Sequence, residues 1–254
     1  TEPQAGSDAA NLRTKAERTN AGWRVNGSKQ FISSARIGQT TVLFAVTDPE
    51  KGKKGISCFV TANEATGYQI VRVEQKLGQK ASDSCALAFN DLEVAAEQLI
   101  GEEGQGYMIA LSSLEAGRIG IAAQAVGLAE ASYRKALSYA DEREAFGKPI
   151  FDLQAVQFRL ADMATELEAA RQLVLNAAAM KDRGEPCLKE ACMAKLYASE
   201  MAERVTSAAI QVLGGYGYLA DYEVERMYRD QKVCQIYEGT SDIQKLIIAR
   251  QIRA

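Results

Sequence analysis

The chain contains no histidine in 254 residues. That absence removes Ser-His-Asp and Cys-His nucleophilic catalysis and every histidine-based metal site, and no metal centre is expected. Its five cysteines, Cys58, Cys85, Cys187, Cys192 and Cys234, are odd in number and form no C-x-x-C. They read as reduced, buried small hydrophobes, and an intracellular compartment fits. No apolar run approaches the length of a membrane span, and no signal peptide opens the sequence. Net charge is −3 with both signs interspersed, so there is no basic stripe and nucleic acid is not an expected partner. Repeats and low-complexity tracts are also missing. General acid–base chemistry falls to Glu, Asp, Lys, Tyr or Cys, or is shared with a cofactor.

What is present is enough apolar content, 47%, for one large core or two modest ones. Residues 1–98 read as β-rich. Asn26-Gly27 between alternating apolar arms predicts a hairpin, and short strands are expected at 41–46, 56–60, 68–73 and 85–89. Such spacing predicts a small antiparallel barrel or sandwich. The glycines of Gly101-Glu102-Glu103-Gly104-Gln105-Gly106 have the wrong order for a dinucleotide fingerprint and precede no βαβ unit, so this run reads as a domain linker. From there the period turns helical. Helices are expected over 107–139, 153–182 and 188–213, a shorter one over 223–229, and a last one from Thr240. Short connections between long helices predict an up-down four-helix bundle over 99–254, and an α+β chain of two domains.

One stretch organises the chain: Ile236-Tyr237-Glu238-Gly239-Thr240-Ser241-Asp242. Thr, Ser and Asp before the apolar-periodic Ile243, Leu246 and Ile247 signal a helix start. Glu238 is therefore held in a turn at a helix N-terminus, beside an aromatic ring. Partial burial raises a carboxyl pKa and makes it a better proton acceptor, while a helix N-terminus opposes that shift. The plain alternative is a capped last helix with a solvated Glu.

Five stretches in order carry a resemblance: Thr1-Glu2-Pro3-Gln4-Ala5-Gly6-Ser7-Asp8, Glu115-Ala116-Gly117-Arg118, Glu142-Arg143-Glu144-Ala145-Phe146-Gly147, Gln211-Val212-Leu213-Gly214-Gly215, and the segment around Glu238. Together the chain resembles the acyl-CoA dehydrogenase family, short-chain or short/branched-chain type. The match begins inside a motif, so a preceding N-terminal helical domain is expected. The resemblance implies non-covalent FAD, an acyl-CoA substrate, and Glu238 as the base that takes the α-proton while the β-hydride passes to flavin N5. The thioester oxygen would be polarised by the Glu238 N–H and a ribityl hydroxyl. Some long-chain and isovaleryl relatives carry the base just before the Arg of the second motif. Gly117 stands there, which assigns the base to Glu238.

By the same resemblance, Thr1 and Ser7 lie against the flavin and Ser7 also touches substrate. Phe31, Ile32 and Ser33 stand where the family usually has Trp-Ile-Thr; Phe31 would cover the isoalloxazine and Ser33 bond its edge, though a core role for Phe31 remains open. Arg143, Phe146, Gln154 and the segment Gln211, Val212, Leu213, Gly214 and Gly215 would reach the FAD of a neighbouring subunit. Thr240, Ser241 and Asp242 would also contact FAD, with Asp242 replacing a longer Glu or Gln. Glu115, Ala116, Gly117 and Arg118 would line the acyl-CoA channel, with Tyr107, Tyr237 and Gly239 as further substrate contacts. Without the family, Arg118 would be a solvated or i,i+4-paired charge and Gly214-Gly215 a helix C-cap. The implied partners are an electron-transfer flavoprotein and copies of the chain itself, as a homotetramer. The implied setting is a bacterial cytoplasm or mitochondrial matrix, in fatty acid or branched-chain amino acid oxidation. An acyl-CoA oxidase of the same fold and a non-catalytic FAD-binding or oligomerisation module are the alternatives.

Overall fold

The computed structural model describes residues 1–253. Its contacts group into two compact units, Thr1–Ser113 and Leu114–Ala254, giving the expected α+β architecture. Among the described residues, no helix is long and apolar enough to cross a membrane.

The first unit is a seven-stranded sheet ordered β5-β6-β2-β1-β3-β4-β7. The strands are β1 (Lys15–Arg18), β2 (Gly22–Ser33), β3 (Thr40–Val46), β4 (Ile56–Ala62), β5 (Tyr68–Val73), β6 (Ser84–Ala95) and β7 (Leu99–Ile100). Pairing is antiparallel except for one parallel contact, Lys15 opposite Val46. Alternation selects the core: Cys85, Leu87 and Phe89 are buried, then the phase slips by one residue to Leu92 and Val94. The slip is a bulge, because Val25 pairs with Leu92 while Gly27 pairs with Phe89. Without it, a one-residue change of register would turn Leu92 and Val94 to solvent.

That bulge corrects the hairpin expected at Asn26-Gly27. Both residues lie inside the continuous strand β2. The Asn26 side chain grips Asp91, accepting from its N–H at 2.9 Å and donating to Oδ1 at 3.0 Å. Gly27 is needed because a Cβ there would lie 2.6 Å from the Thr14 Cα. The glycine serves a close backbone approach rather than a turn. Trp23 and Phe59 meet edge to face in the core, ring centroids 5.1 Å apart.

The second unit is helical. The long helix α1 (Gly106–Glu142) supplies the buried Ala122, Ala125, Ala129, Ala136 and Ala140. Helix α2 (Gln154–Asp182) buries Leu160, Met163, Leu167, Ala170, Val174 and Ala177, whose spacing alternates three and four residues, the signature of a helix seam. Helix α3 (Leu188–Leu213) is buried over a broader face and packs against α2, α4 (Val224–Gln231) and α5 (Ser241–Gln251). Between α1 and α2, β8 (Glu144–Ala145) and β9 (Lys148–Pro149) form a minimal hairpin. All five cysteines are free and buried, as their pattern predicted.

Candidate active site

The turn before α5 is built as the sequence led us to expect. The Thr240 hydroxyl caps the helix by accepting from Ile243 N–H at 3.4 Å, and Glu238 sits in the turn just ahead of it. Glu238 is not simply solvated. It adopts a left-handed backbone conformation, φ 54°, followed by Gly239 at φ 87°; a non-glycine residue pays a steric cost there and often marks a functional turn. Its Oε2 is buried with no hydrogen-bond partner. The carboxylate lies over Gly117 of α1, where a Cβ would stand 2.6 Å from Oε2.

Burial raises the Glu238 pKa, and the nearby positive charges of Arg118 and Lys195 pull against that rise. Two side chains thus oppose the rise. Arg118 is only 5% exposed and its buried Nε has no partner, which corrects the expectation of a solvated or paired charge. Lys195 is fully buried on α3 and donates to the Gly239 carbonyl at 2.7 Å. Burial holds its ammonium down at about 8. Gln244, also fully buried, donates to the carbonyls of Glu238 at 3.0 Å and Gly239 at 2.8 Å. Both turn carbonyls are therefore occupied. The Glu238 N–H, by contrast, donates to no backbone carbonyl among the described residues. Tyr237 hydrogen-bonds Gln124 Oε1 through its hydroxyl at 2.6 Å, and burial pushes its phenol pKa up. A proton acceptor of raised basicity and a free N–H donor on one residue can remove a proton and receive the resulting oxyanion.

The other expected residues fall into separate groups. Glu115 pairs with Lys181 of α2 at 2.8 Å, and Ala116 is exposed. Arg143, Val212, Leu213, Gly214 and Gly215 share a pocket of about 400 Å³ with Tyr139, Tyr216 and Leu219. The Arg143 guanidinium carbon lies 5.7 Å from the Tyr216 ring centre, and a Cβ on Gly214 or Gly215 would meet nothing within 4 Å. Phe146 tips the β8–β9 hairpin, 91% exposed at φ 55°. Gln154, Gln211 and Asp242 are exposed, and the buried Ser241 hydroxyl has no partner. A cation beside open glycines and aromatic faces, with an orphaned hydroxyl elsewhere in the same unit, fits an anionic ligand carrying planar rings.

In the first unit, Gln30 N–H donates to the Thr1 carbonyl at 3.0 Å, which holds Thr1 beside the segment of Phe31, Ile32 and Ser33. Phe31 is 64% exposed at φ 59°, so it is not a core residue. Ser7 and Ser33 are exposed, and Ile32 and Tyr107 half-buried, with the Lys53 ammonium 5.2 Å from the Tyr107 ring centre. The loop is anchored by Glu2, a residue without an expected role. Glu2 accepts from Arg13 N–H at 2.6 Å, Thr14 N–H at 3.1 Å, Gln4 at 2.8 Å and the buried Lys29 at 2.7 Å. Burial would raise its carboxyl, but those donors hold it at about 2.

Three residues of the Glu238 site escaped sequence reasoning: Lys195, Gln244 and Gln124. A Lys on the apolar face of a helix, among Ala191, Ala194 and Ala198, was the one available signal.

Comparison with known proteins adds an independent line. Residues 1–92 match the model of the acyl-CoA dehydrogenase middle domain, and residues 104–253 that of the acyl-CoA dehydrogenase C-terminal domain. The short/branched chain specific acyl-CoA dehydrogenase of Rattus norvegicus mitochondria is 46% identical, over 100% of this chain and 59% of its own length. Butyryl-CoA dehydrogenase from Megasphaera elsdenii superposes with a TM-score of 0.98 at 43% identity, over 100% of this chain and 67% of that one. A chain from a structure describing the electron transferring flavoprotein of Acidaminococcus fermentans gives 0.98 at 45% identity, over 99% of this chain and 66% of that one. The present chain spans 59–66% of the length of the curated relatives it matches.

Proposed function

Since the chain belongs to the acyl-CoA dehydrogenase family, we propose that it catalyses α,β-dehydrogenation of a short or short branched acyl-CoA, with Glu238 as the base. One observation carries the reading: a carboxylate whose Oε2 is buried without a hydrogen-bond partner, its basicity raised by burial, on a residue whose own N–H donates to no backbone carbonyl among the described residues. Glu238 takes the α-proton of the thioester on its carboxylate. The Glu238 N–H donates to the thioester oxygen, where negative charge builds as the proton leaves, and the neighbouring Arg118 and Lys195 cations lower the cost of that charge. Tyr237, held by Gln124, shields the turn from water.

The cofactor is FAD, held by Arg143, Phe146, Gln154 and Gln211 to Gly215 of one subunit, with Thr1, Ser7, Phe31, Ile32, Ser33 and Thr240, Ser241 and Asp242 of another. When bound, it supplies the acceptor for the two electrons and the β-hydrogen. Glu115, Ala116, Gly117, Arg118, Tyr107, Tyr237 and Gly239 contact the acyl-CoA. The two sets of FAD contacts call for an oligomer, a homotetramer as is typical of the family, and the electrons leave to an electron-transfer flavoprotein. Similarity to a short/branched chain enzyme and to a butyryl-CoA dehydrogenase supports the substrate class. Similarity to a chain described with an electron transferring flavoprotein supports the acceptor.

The test is anaerobic mixing of the flavin-loaded protein with butyryl-CoA and with 2-methylbutyryl-CoA, followed by flavin absorbance. Bleaching by either is the expected result. Flavin that stays oxidised with both would overturn the substrate class, and stoichiometric peroxide in air would replace the acceptor with oxygen.

A further inference from the structure

We propose that Lys195 is a positioning residue for the Glu238 base, gripping the Gly239 carbonyl from α3 while Gln244 grips both turn carbonyls from α5. The proposal rests on the reading of Glu238 as the base. Lys195 is fully buried, and its one hydrogen bond among the described residues runs 2.7 Å to that carbonyl. An ammonium taken out of water is costly, and a Met or Leu would pack the same apolar face of α3 without that cost. The cation is retained where the backbone is least comfortable, beside consecutive left-handed residues, Glu238 at φ 54° and Gly239 at φ 87°.

Two carbonyls pinned from two helices hold that turn against its strain. The Glu238 N–H itself donates to no backbone carbonyl among the described residues. The grip is electrostatic as well as geometric. The charged and titratable groups that act on Lys195 include Cys234 from the segment before the turn, Arg118 from α1, Glu238 from the turn, and Cys192 of α3 itself. Among the described residues, Arg118 and Lys195 favour the ionised form of Glu238 against its burial. Loss of the Lys195 charge leaves Arg118 alone in that role.

The experiment follows the Glu238 carboxyl directly. The chain is labelled with 13C-glutamate, and the Glu238 Cδ resonance, assigned by its loss in Glu238→Gln, is titrated in parent, Lys195→Met and Lys195→Arg. In Lys195→Met we expect the midpoint to rise by about one pH unit, the scale of losing one close opposite charge, with Lys195→Arg near the parent. In the flavin-loaded protein, kcat should fall at least about tenfold in Lys195→Met with KM nearly unchanged, the mark of a misplaced base. Its acidic limb should move with the NMR midpoint, and Lys195→Arg should recover most of the rate. An unmoved midpoint in Lys195→Met overturns the proposal, as does equal loss of rate in the Arg variant. If Lys195→Met does not fold, Lys195→Gln, which keeps a donor without the charge, replaces it. An active Glu238→Gln would remove the base assignment alone, since the carboxyl titration still reports on Lys195.

Discussion

Gly117 and Glu238 are complementary: the hydrogen on the glycine Cα leaves the space that the carboxylate occupies, and a Cβ there would stand 2.6 Å from Oε2 and 3.0 Å from Cδ. The carboxylate therefore rests on the α1 backbone with no room for any side chain at position 117. Because what a Cβ would meet is the far end of a side chain and not backbone, the fold can absorb the change while the base cannot keep its place.

Gly117→Ala should accordingly separate stability from activity. Alanine gains up to about 1 kcal/mol of helix propensity over glycine, so the melting temperature should hold or rise. The turnover rate should fall at least about tenfold, because a base moved by about an ångström loses its attack geometry. Thermal unfolding and single-turnover flavin reduction on the same preparation check both halves. A fast Ala variant would show that the carboxylate works from another position.

Glu238→Gln should keep the fold and the bound flavin and lose more than about a hundredfold in rate, the usual worth of a positioned base. The substitution also has a signature in stability. Glu238 has a pKa raised in the folded chain, so the folded state binds its proton more tightly than the unfolded state does. The stabilisation this brings is complete below the unfolded carboxyl pKa and disappears as pH rises through the folded value. At pH 7.5, well above the ordinary carboxyl range, holding this group in its buried place costs the folded state something that Gln does not, so Glu238→Gln should melt higher there. The gain should vanish below about pH 4, where the carboxyl is protonated in both states. An equal difference at both pH values would count against a raised pKa.

The Glu2–Lys29 pair makes the opposite prediction. Glu2 is held at about 2 by its donors, so its stabilisation is present above the unfolded carboxyl pKa and is lost as pH falls from there toward 2. Glu2→Gln leaves the buried Lys29 without a counter-charge and should cost about 3–5 kcal/mol at neutral pH, as broken buried pairs do. Urea unfolding at pH 7 and pH 3 should show the gap between parent and variant narrowing in acid. Adding Lys29→Met to Glu2→Gln should restore a large part of the loss.

Phe146 carries a left-handed backbone, φ 55°, and a ring 91% exposed. The proposed contact with the FAD of a neighbouring subunit would give this strained, exposed ring a use. Phe146→Gly should stabilise the flavin-free chain by about 1 kcal/mol through relief of that backbone. It should also lower the flavin retained on gel filtration, read as the ratio of absorbance at 450 nm to that at 280 nm. Unchanged retention would remove Phe146 from the flavin contacts.

Much of this was legible in the linear chain. Helix periodicity marked α2 and α3, and Thr240 before an apolar repeat announced the cap of α5, because both depend on residues a few positions apart. The absence of histidine confined proton transfer to carboxylates and their like, and Gly117 before Arg118 directed attention to Glu238. The Asn26-Gly27 pair misled for a physical reason. Asn-Gly suits a turn, but its glycine also permits close backbone approach, and only Thr14 and the bulged strand β6 across the sheet reveal which use prevails.

The sequence by itself thus determined most of the helices and the family motifs, since short-range steric and hydrogen-bonding preferences act along the chain, and the resemblance those motifs carry singled out Glu238 as the proposed base. Only the tertiary structure decided how that base behaves. It buried Glu238 over Gly117, removed Arg118 from solvent, and brought Lys195 to a carbonyl 44 positions away. Burial and charge proximity set the proton affinity of a carboxylate, and both are properties of distance in space, which no local spacing of residues encodes.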